Sequence, residues 1–161
     1  MSKAQAAPAQ TVSVNRKAFH DYFIEEEYEA GIVLTGSEIK SVRAGRINLR
    51  GAYARVENDE AWLFDAHISP YEQSGTYFNH EPTRPRKLLL HRKEISRLLG
   101  KLETKGLTLV PLDIHLKGRR AKVRLGLARG KKLFDKREAT AERDANRQIE
   151  RVLKERRYRD E

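Results

Sequence analysis

Residues 107–127 read Leu-Thr-Leu-Val-Pro-Leu-Asp-Ile-His-Leu-Lys-Gly-Arg-Arg-Ala-Lys-Val-Arg-Leu-Gly-Leu. Leu107 and Leu109 set one parity before Pro111; Leu112, Ile114 and Leu116 set the other after it. Period-two alternation marks a strand with one buried face. The change of parity at a residue without an N–H predicts a bulge or an edge position near Pro111. Lys117-Gly118-Arg119 then turns the chain. In the last strand Ala121, Val123, Leu125 and Leu127 alternate with Arg120, Lys122, Arg124 and Gly126. This stretch decides the fold class: antiparallel β, apolar on one side and basic on the other.

Working upstream, 88–102 contains a helix, because Ile95, Leu98, Leu99 and Leu102 fall at i, i+3, i+4 and i+7. Gly106 ends it. Residues 70–85, broken by Gly75, Pro82 and Pro85, read as loop. Two strands, 49–56 and 61–68, flank the turn 57–60, and the second is expected to place Trp62, Phe64 and Ile68 on one face. Thr35-Gly36-Ser37-Glu38 has capping-box spacing, so a helix of about two turns follows it, carrying Ile39 and Val42 and ending near Gly45. Residues 19–34 read as one extended strand, with Tyr22, Ile24 and Tyr28 opposite Glu25, Glu27 and Glu29. Phe23 and Glu26 break that pattern, which predicts a twist or bulge. Five or six strands with two short helices predict a small closed or nearly closed barrel.

The ends differ in composition. Residues 1–13, rich in Ala, Gln and Ser, are expected to be a disordered tail, residues 14–128 the folded body, and residues 129–161 a charged tail. Beyond Gly130 a helical pattern runs to about Tyr158, with Arg143, Arg147 and Arg151 four apart as a basic stripe. Its apolar content, Ala139, Ala145, Ile149, Val152 and Leu153, is thin, so this tail is expected to be disordered when free.

The 161 residues carry 33 Lys and Arg against 23 Asp and Glu, a formal charge of +10. That balance points to a polyanionic partner. No apolar run approaches the roughly 18 residues of a membrane span, and no signal-peptide core is present, so a cytoplasmic monomer is expected. With no cysteine, disulfides and thiolate sites are excluded. None of the five histidines, His20, His67, His80, His91 and His115, has an i, i+4 histidine partner of a helical metal site. His67 and His115 alternate with apolar neighbours, which suits structural roles. Glu25, Glu26 and Glu27 point to opposite faces of a strand, and no nucleophile or phosphate loop accompanies them. Neither an enzyme nor a cofactor is expected.

The strongest chemical signal is basic density. Eight Lys or Arg and no acid lie between Lys117 and Lys132: Lys117, Arg119, Arg120, Lys122, Arg124, Arg129, Lys131 and Lys132. One-signed charge on a rigid surface fits a phosphate backbone. Arg84, Arg86, Lys87, Arg92 and Lys93 form a second cluster, and Lys40, Arg43, Arg46 and Arg50 a third. His20 or Tyr22 could stack on an unpaired base, whereas Phe23 is expected in the core.

Several motifs occur in order. They are Asn15-Arg16-Lys17-Ala18, His20-Asp21-Tyr22-Phe23-Ile24-Glu25-Glu26-Glu27-Tyr28-Glu29-Ala30-Gly31, and Gly36-Ser37-Glu38-Ile39-Lys40-Ser41-Val42-Arg43-Ala44-Gly45. Pro82-Thr83-Arg84 with Arg86-Lys87-Leu88-Leu89-Leu90, and Gly130-Lys131-Lys132 with Asp135-Lys136-Arg137, complete the set. Together, over about 15–137, they resemble the SmpB family, small proteins that bind transfer-messenger RNA (SsrA). The resemblance implies an oligonucleotide-binding-like (OB-fold-like) barrel that holds the tRNA-like domain of that RNA. It implies delivery with elongation factor Tu to stalled ribosomes, where trans-translation tags the nascent peptide and releases the ribosome. It also implies that the tail enters the empty messenger channel beside the decoding centre and becomes helical there. By the same resemblance Asn15, Lys17, His20, Tyr22 and Glu29 lie near the RNA, and Lys131, Lys132, Asp135, Lys136 and Arg137 serve the ribosome. Phe134 departs from the polar or histidine residue common in that family. The RNA-binding set expected overall adds Lys40, Arg43, Arg46, Arg84, Arg86, Lys87, Lys117, Arg120, Lys122 and Arg124. The residues alone also fit a general ribosomal or single-stranded nucleic-acid-binding barrel.

Overall fold

The computed structural model describes residues 9–71, 79–131 and 133–159. Nine strands and four helices lie among them. In chain order these are β1 (Gln10–Val14), α1 (Arg16–Asp21), β2 (Tyr22–Ile32), α2 (Gly36–Arg43), β3 (Ile47–Asn48), β4 (Tyr53–Glu57) and β5 (Glu60–Phe64). β6 (His67–Ile68), β7 (Arg86–Leu89), α3 (Arg92–Lys105), β8 (Thr108–Lys117), β9 (Arg120–Gly130) and α4 (Leu133–Arg159) follow. The chain forms two compact units, residues 1–130 and 131–161.

The first unit is a closed antiparallel barrel. Following hydrogen-bonded neighbours, β8 joins β4, β5, β7, β2 and β9 in turn, and β9 returns to β8. Closure leaves this circuit without a free edge. The apolar residues of the 107–127 hairpin supply much of the interior: Leu109, Ile114, Val123, Leu125 and Leu127 are at most 1% exposed. The expected bulge is present, with the register of β8 against β9 shifting between Pro111 and Asp113. Its position is not an edge, because β8 has partners on both sides: β9 on one, β1 and β4 on the other. A second bulge shifts β2 against β9 between Ile24 and Glu26, where the acidic run loses its alternation.

The capping box is formed. Thr35 Oγ1 accepts from Glu38 N–H, and Glu38 Oε1 accepts from Thr35 N–H at 2.9 Å. Gly45, with φ +75°, lets the chain leave α2. His80 braces the helix by bridging Ser37 Oγ and the Ile68 carbonyl, both at 2.8 Å. α3 buries Leu98 fully against the core, and Gly106 ends it in the left-handed conformation.

Five expectations need correction. Residues 10–13, assigned to a disordered tail, belong to β1, which pairs with β8 and packs Val12 on the core; Thr11, Val12 and Val14 are β-branched and suit a strand. Residues 19–21, expected to be extended, belong to the helix Arg16–Asp21, which Asn15 caps: its Oδ1 accepts from Ala18 N–H at 3.3 Å. Trp62 and Phe64 point away from the core. Ala61 and Leu63 are the buried parity of β5, and the positive φ of Asp65 (60°) breaks the alternation before Ile68. Residues 49–52 are not strand. Phe23 is 38% exposed, with the Arg129 guanidinium 5.1 Å from its ring centre.

The second unit is α4, a helix of 27 residues. The helical pattern read from beyond Gly130 to about Tyr158 is the one that forms. Leu133–Arg159 contains no Gly or Pro, is rich in Arg, Glu and Ala, and sets Glu150 four before Lys154. Arg143, Arg147 and Arg151 are exposed along it, as are Ile149, Val152 and Leu153. No described helix is long and apolar enough to cross a membrane.

Candidate nucleic-acid interface

The outer face of the barrel is organised by register across four strands. His115 on β8 lies opposite Lys122 on β9, Lys122 opposite Gly31 on β2, and Gly31 opposite Leu89 on β7. Beside this row runs another, Asp113, Arg124 and Glu29. Gly31 eases the close approach, since a Cβ there would meet Leu89 Cβ at a tight 3.2 Å. Leu89 is 54% exposed. Together with Ile32, Leu34 and Ile39 it floors a depression of about 330 Å³ edged by Arg119, Arg120 and Lys122.

The expected one-signed basic surface is only half correct. The acids of β2 reach across to part of it. Lys117 Nζ lies 2.7 Å from both Glu29 oxygens, and Arg124 lies 2.7 Å from Asp113 and 3.4 Å from Glu27. Arg124 Nε approaches Asp113 without hydrogen-bond alignment, so this contact is an ion pair. Lys117, through its hydrogen bond, is the main influence that lowers the pKa of Glu29 below its ordinary value, against the cost of burial. Arg119, Arg120 and Lys122 have no carboxylate partner among the described residues. Arg43 of α2 joins them by donating from Nη2 to the Arg119 carbonyl at 3.3 Å. Lys40 and Arg46 are exposed, with Lys40 Nζ 5.5 Å from the Tyr71 ring centre.

A second concavity of about 300 Å³ is lined by Lys17, Asp21, Tyr22, Tyr53 and Thr108, with Asn15 at its wall. Lys17 and Arg16 are exposed, and both border a neighbouring depression with Arg50. His20 is half-buried, its Nδ1 3.0 Å from Asp21 Oδ1. Of the five residues expected here, Asn15, Lys17 and Tyr22 meet at this concavity, His20 stands outside its lining, Glu29 lies opposite Arg124 on the outer face instead, and Asn15 is buried and committed. Besides capping α1, its Nδ2 donates to the Pro111 carbonyl at 2.9 Å.

Arg86 is the plainest departure. It is fully buried, with its Nε on Glu38 Oε2, Nη1 on the Ala66 carbonyl at 2.8 Å and Nη2 on the Pro82 carbonyl at 3.1 Å. Arg84 holds the other oxygen of the same Glu38. Burial raises the pKa of Glu38, but Arg84, the Thr35 N–H and Arg86 outweigh it and hold the carboxyl at about 2. These arginines fasten α2 to β7; Arg86 cannot touch RNA. Lys87 sits 3.0 Å from Glu60. Leu89 was missed by sequence reasoning. The signal was available, since Leu88 is buried and its neighbour on a strand must face outward.

In the second unit, Arg137, Arg143, Arg147 and Arg151 are exposed on α4, and Phe134, Asp135 and Lys136 fall in its first turn. Lys131 precedes the helix, and Lys132 lies outside the described residues. No cluster of potential metal ligands occurs among the described residues.

Comparison with known proteins agrees with this basic barrel and helix. The SsrA-binding protein of Roseiflexus castenholzii is 72% identical over 145 residues, covering 90% of this chain and 92% of its own. That of Carboxydothermus hydrogenoformans is 62% identical over 145 residues, covering 90% and 97%. A chain from a solved structure described as "tmRNA-SmpB: a journey to the center of the bacterial ribosome" superposes with a TM-score of 0.65. It is 54% identical and covers 83% of this chain and 95% of that one. The family model described as SmpB protein matches residues 12–155, and with nine-tenths of its length aligned at such identity the chain belongs to that family.

Proposed function

We infer that this protein binds transfer-messenger RNA and acts in trans-translation on the ribosome. The observation that carries this reading is 72% identity to SsrA-binding proteins over 90% of the chain. The geometry supplies a means. A rigid barrel presents Arg119, Arg120 and Lys122 beside the exposed Leu89, which suits recognition of a folded RNA by shape, phosphates and an apolar contact. A general single-stranded binder would instead favour a groove lined with stacking aromatics along a strand. RNA binding is a task of shape and charge, so no catalytic group is required.

Within that function the finer assignments are these. The Arg119–Arg120–Lys122 face, with Arg43, Lys117 and Glu29, meets the tRNA-like domain. Lys17, His20 and Tyr22 meet RNA at the second concavity. α4, with Arg137, Arg143, Arg147 and Arg151, occupies the empty messenger channel, and Lys131, Lys132, Phe134, Asp135 and Lys136 lead into it. An occupied channel would exclude the helix, so only stalled ribosomes accept it. Delivery in complex with elongation factor Tu and a cytoplasmic location follow from the same reading.

The test separates the two units. The body should be ended after Gly130 rather than Ala128, because Arg129 and Gly130 still pair with Phe23 and Tyr22. A protein of residues 1–130 is expected to keep its affinity for the tRNA-like domain and to lose tagging in reconstituted translation. Full tagging by the shortened protein would refute this division, as would loss of RNA binding with the fold intact.

A further inference from the structure

His115 stands at the end of the outer row, and the RNA-binding reading gives it no task. It is 7% exposed, flanked across the sheet by Lys122 of β9 and Thr11 of β1. Its Nδ1 lies 2.9 Å from Asp113 Oδ1, and its Nε2 lies 3.4 Å from Glu29 Oε2. A carboxylate oxygen only accepts hydrogen bonds, so each contact needs an N–H on the ring. A neutral imidazole has one; the imidazolium has two. Both contacts are made together only when the ring carries both protons.

The charges around the ring make that proton count. Asp113 and Glu29 face it directly. Lys117 closes on Glu29, Arg124 on Asp113, and Glu27 on Arg124. Lys122 lies alongside. Three carboxylates thus face three permanent cations, and the ring proton tips the cluster positive next to Arg119 and Arg120, which meet no carboxylate among the described residues.

We propose that His115 is a positioning residue for RNA binding: its second proton pins the Glu29 carboxylate and tips this face positive, which makes RNA affinity proton-linked. The proposal rests on the reading that this face meets transfer-messenger RNA. When the ring loses a proton, one nitrogen presents a lone pair to a carboxylate. Glu29, the more exposed of the two acids with 40% of its side chain accessible against 8% for Asp113, is then held by Lys117 alone, and its charge toward incoming phosphates is no longer offset by the ring. The protonated form binds RNA more tightly, so affinity falls as pH rises.

The experiment titrates full-length protein with the tRNA-like domain of transfer-messenger RNA, from about pH 5.5 to about pH 8, where imidazoles titrate. The native protein should lose about fivefold in affinity across that range, the worth of one partly exposed charge contact. His115→Gln should flatten the profile. Adding it to Glu29→Gln should change little more, because both act through one contact. The ring ¹⁵N shifts of His115 in the native protein should show two N–H groups at low pH and one at high pH, changing in step with affinity; this arm needs no variant to fold. Equal pH slopes in native protein and a folded His115→Gln would overturn the proposal. So would a ring whose protonation does not change over the range. Absence of binding at every pH by native protein would be a different failure, that of the RNA reading itself.

Discussion

Arg86 and Lys122 are cations on strands of the same barrel, and they are used in opposite ways. Arg86 is fully buried on β7, its guanidinium spent on Glu38 and two carbonyls. Lys122 on β9 points outward with no acid to meet it among the described residues. Both belong to dense basic runs, so local composition treats them alike. What separates them is a carboxylate brought from far along the chain: Glu38 lies 48 residues from Arg86. A basic cluster is therefore a binding surface only to the extent that folding leaves it unpaired.

The largest effect should come from removing the acid of the buried group. Glu38→Ala leaves Arg86 charged in the interior and Arg84 half-buried without a partner. Breaking a buried pair by deleting one member costs about 3–5 kcal/mol, and urea unfolding should register a loss of that size. A change below about 1 kcal/mol would mean that water reaches Arg86, and the contrast with Lys122 would collapse. The same carboxyl gives a pH signature. Its folded value is about 2 against an ordinary 4.5. A depressed acid contributes stability above its unfolded value and loses it as the pH falls toward the folded one. Stability should therefore decline between about pH 4.5 and pH 2, and that part of the decline should be missing in Glu38→Gln.

Next in size is the outward-facing cation. Lys122→Glu should weaken RNA binding by about tenfold or more and lower the salt slope by about one phosphate. Its stability should stay within about 0.5 kcal/mol, as for surface substitutions generally. Arg124→Glu offers the sharper contrast. That side chain faces Asp113 and Glu27, so reversing it sets like charges against one another and should lower the melting temperature as well as the affinity. If the two reversals behave alike, the pairing of Arg124 carries no meaning.

How far the sequence reveals this depends on the range of the interactions. The 107–127 hairpin is legible because alternation is local, and the bulge at Pro111 shows as a parity change within ten residues. The Thr35–Glu38 box is legible because a cap spans three residues. β1 was not, since the pairing that fixes it is with β8, about a hundred residues away. α1 was not, since six residues have no periodicity to read and depend on Asn15, which is itself tied to Pro111. Glu38 shows the limit best. It reads as an exposed capping residue, yet its second role is set by two arginines that only the closed barrel delivers. The binding face has the same difficulty: His115, Lys122, Gly31 and Leu89 become a row through three strand registers that no local pattern encodes. The outward alternation of Arg120, Lys122 and Arg124 was visible; the partial neutralisation by Glu27 and Glu29 was not.

Lys87 tests the comparison at its weakest point, because it lies between the extremes. It is partly exposed on β7, and its ammonium sits 3.0 Å from Glu60, with 40% and 43% of the two side chains accessible. Water competes for both charges, so the pair contributes about 0.2–1 kcal/mol. Glu60→Gln should therefore cost little in stability. Its effect on RNA binding is the informative quantity. If a carboxylate partner is what silences a cation, removing the acid frees Lys87 and should raise affinity by about twofold, an expected energy of about 0.4 kcal/mol. The increase should shrink at higher salt, where a single exposed charge is screened. Lys87→Ala in the native background should leave affinity almost unchanged, because its charge is already answered. The opposite ranking, with Lys87→Ala harmful and Glu60→Gln neutral, would place Lys87 in direct contact with phosphate. Proximity to the RNA, rather than freedom from an acid, would then decide which cations of this barrel bind.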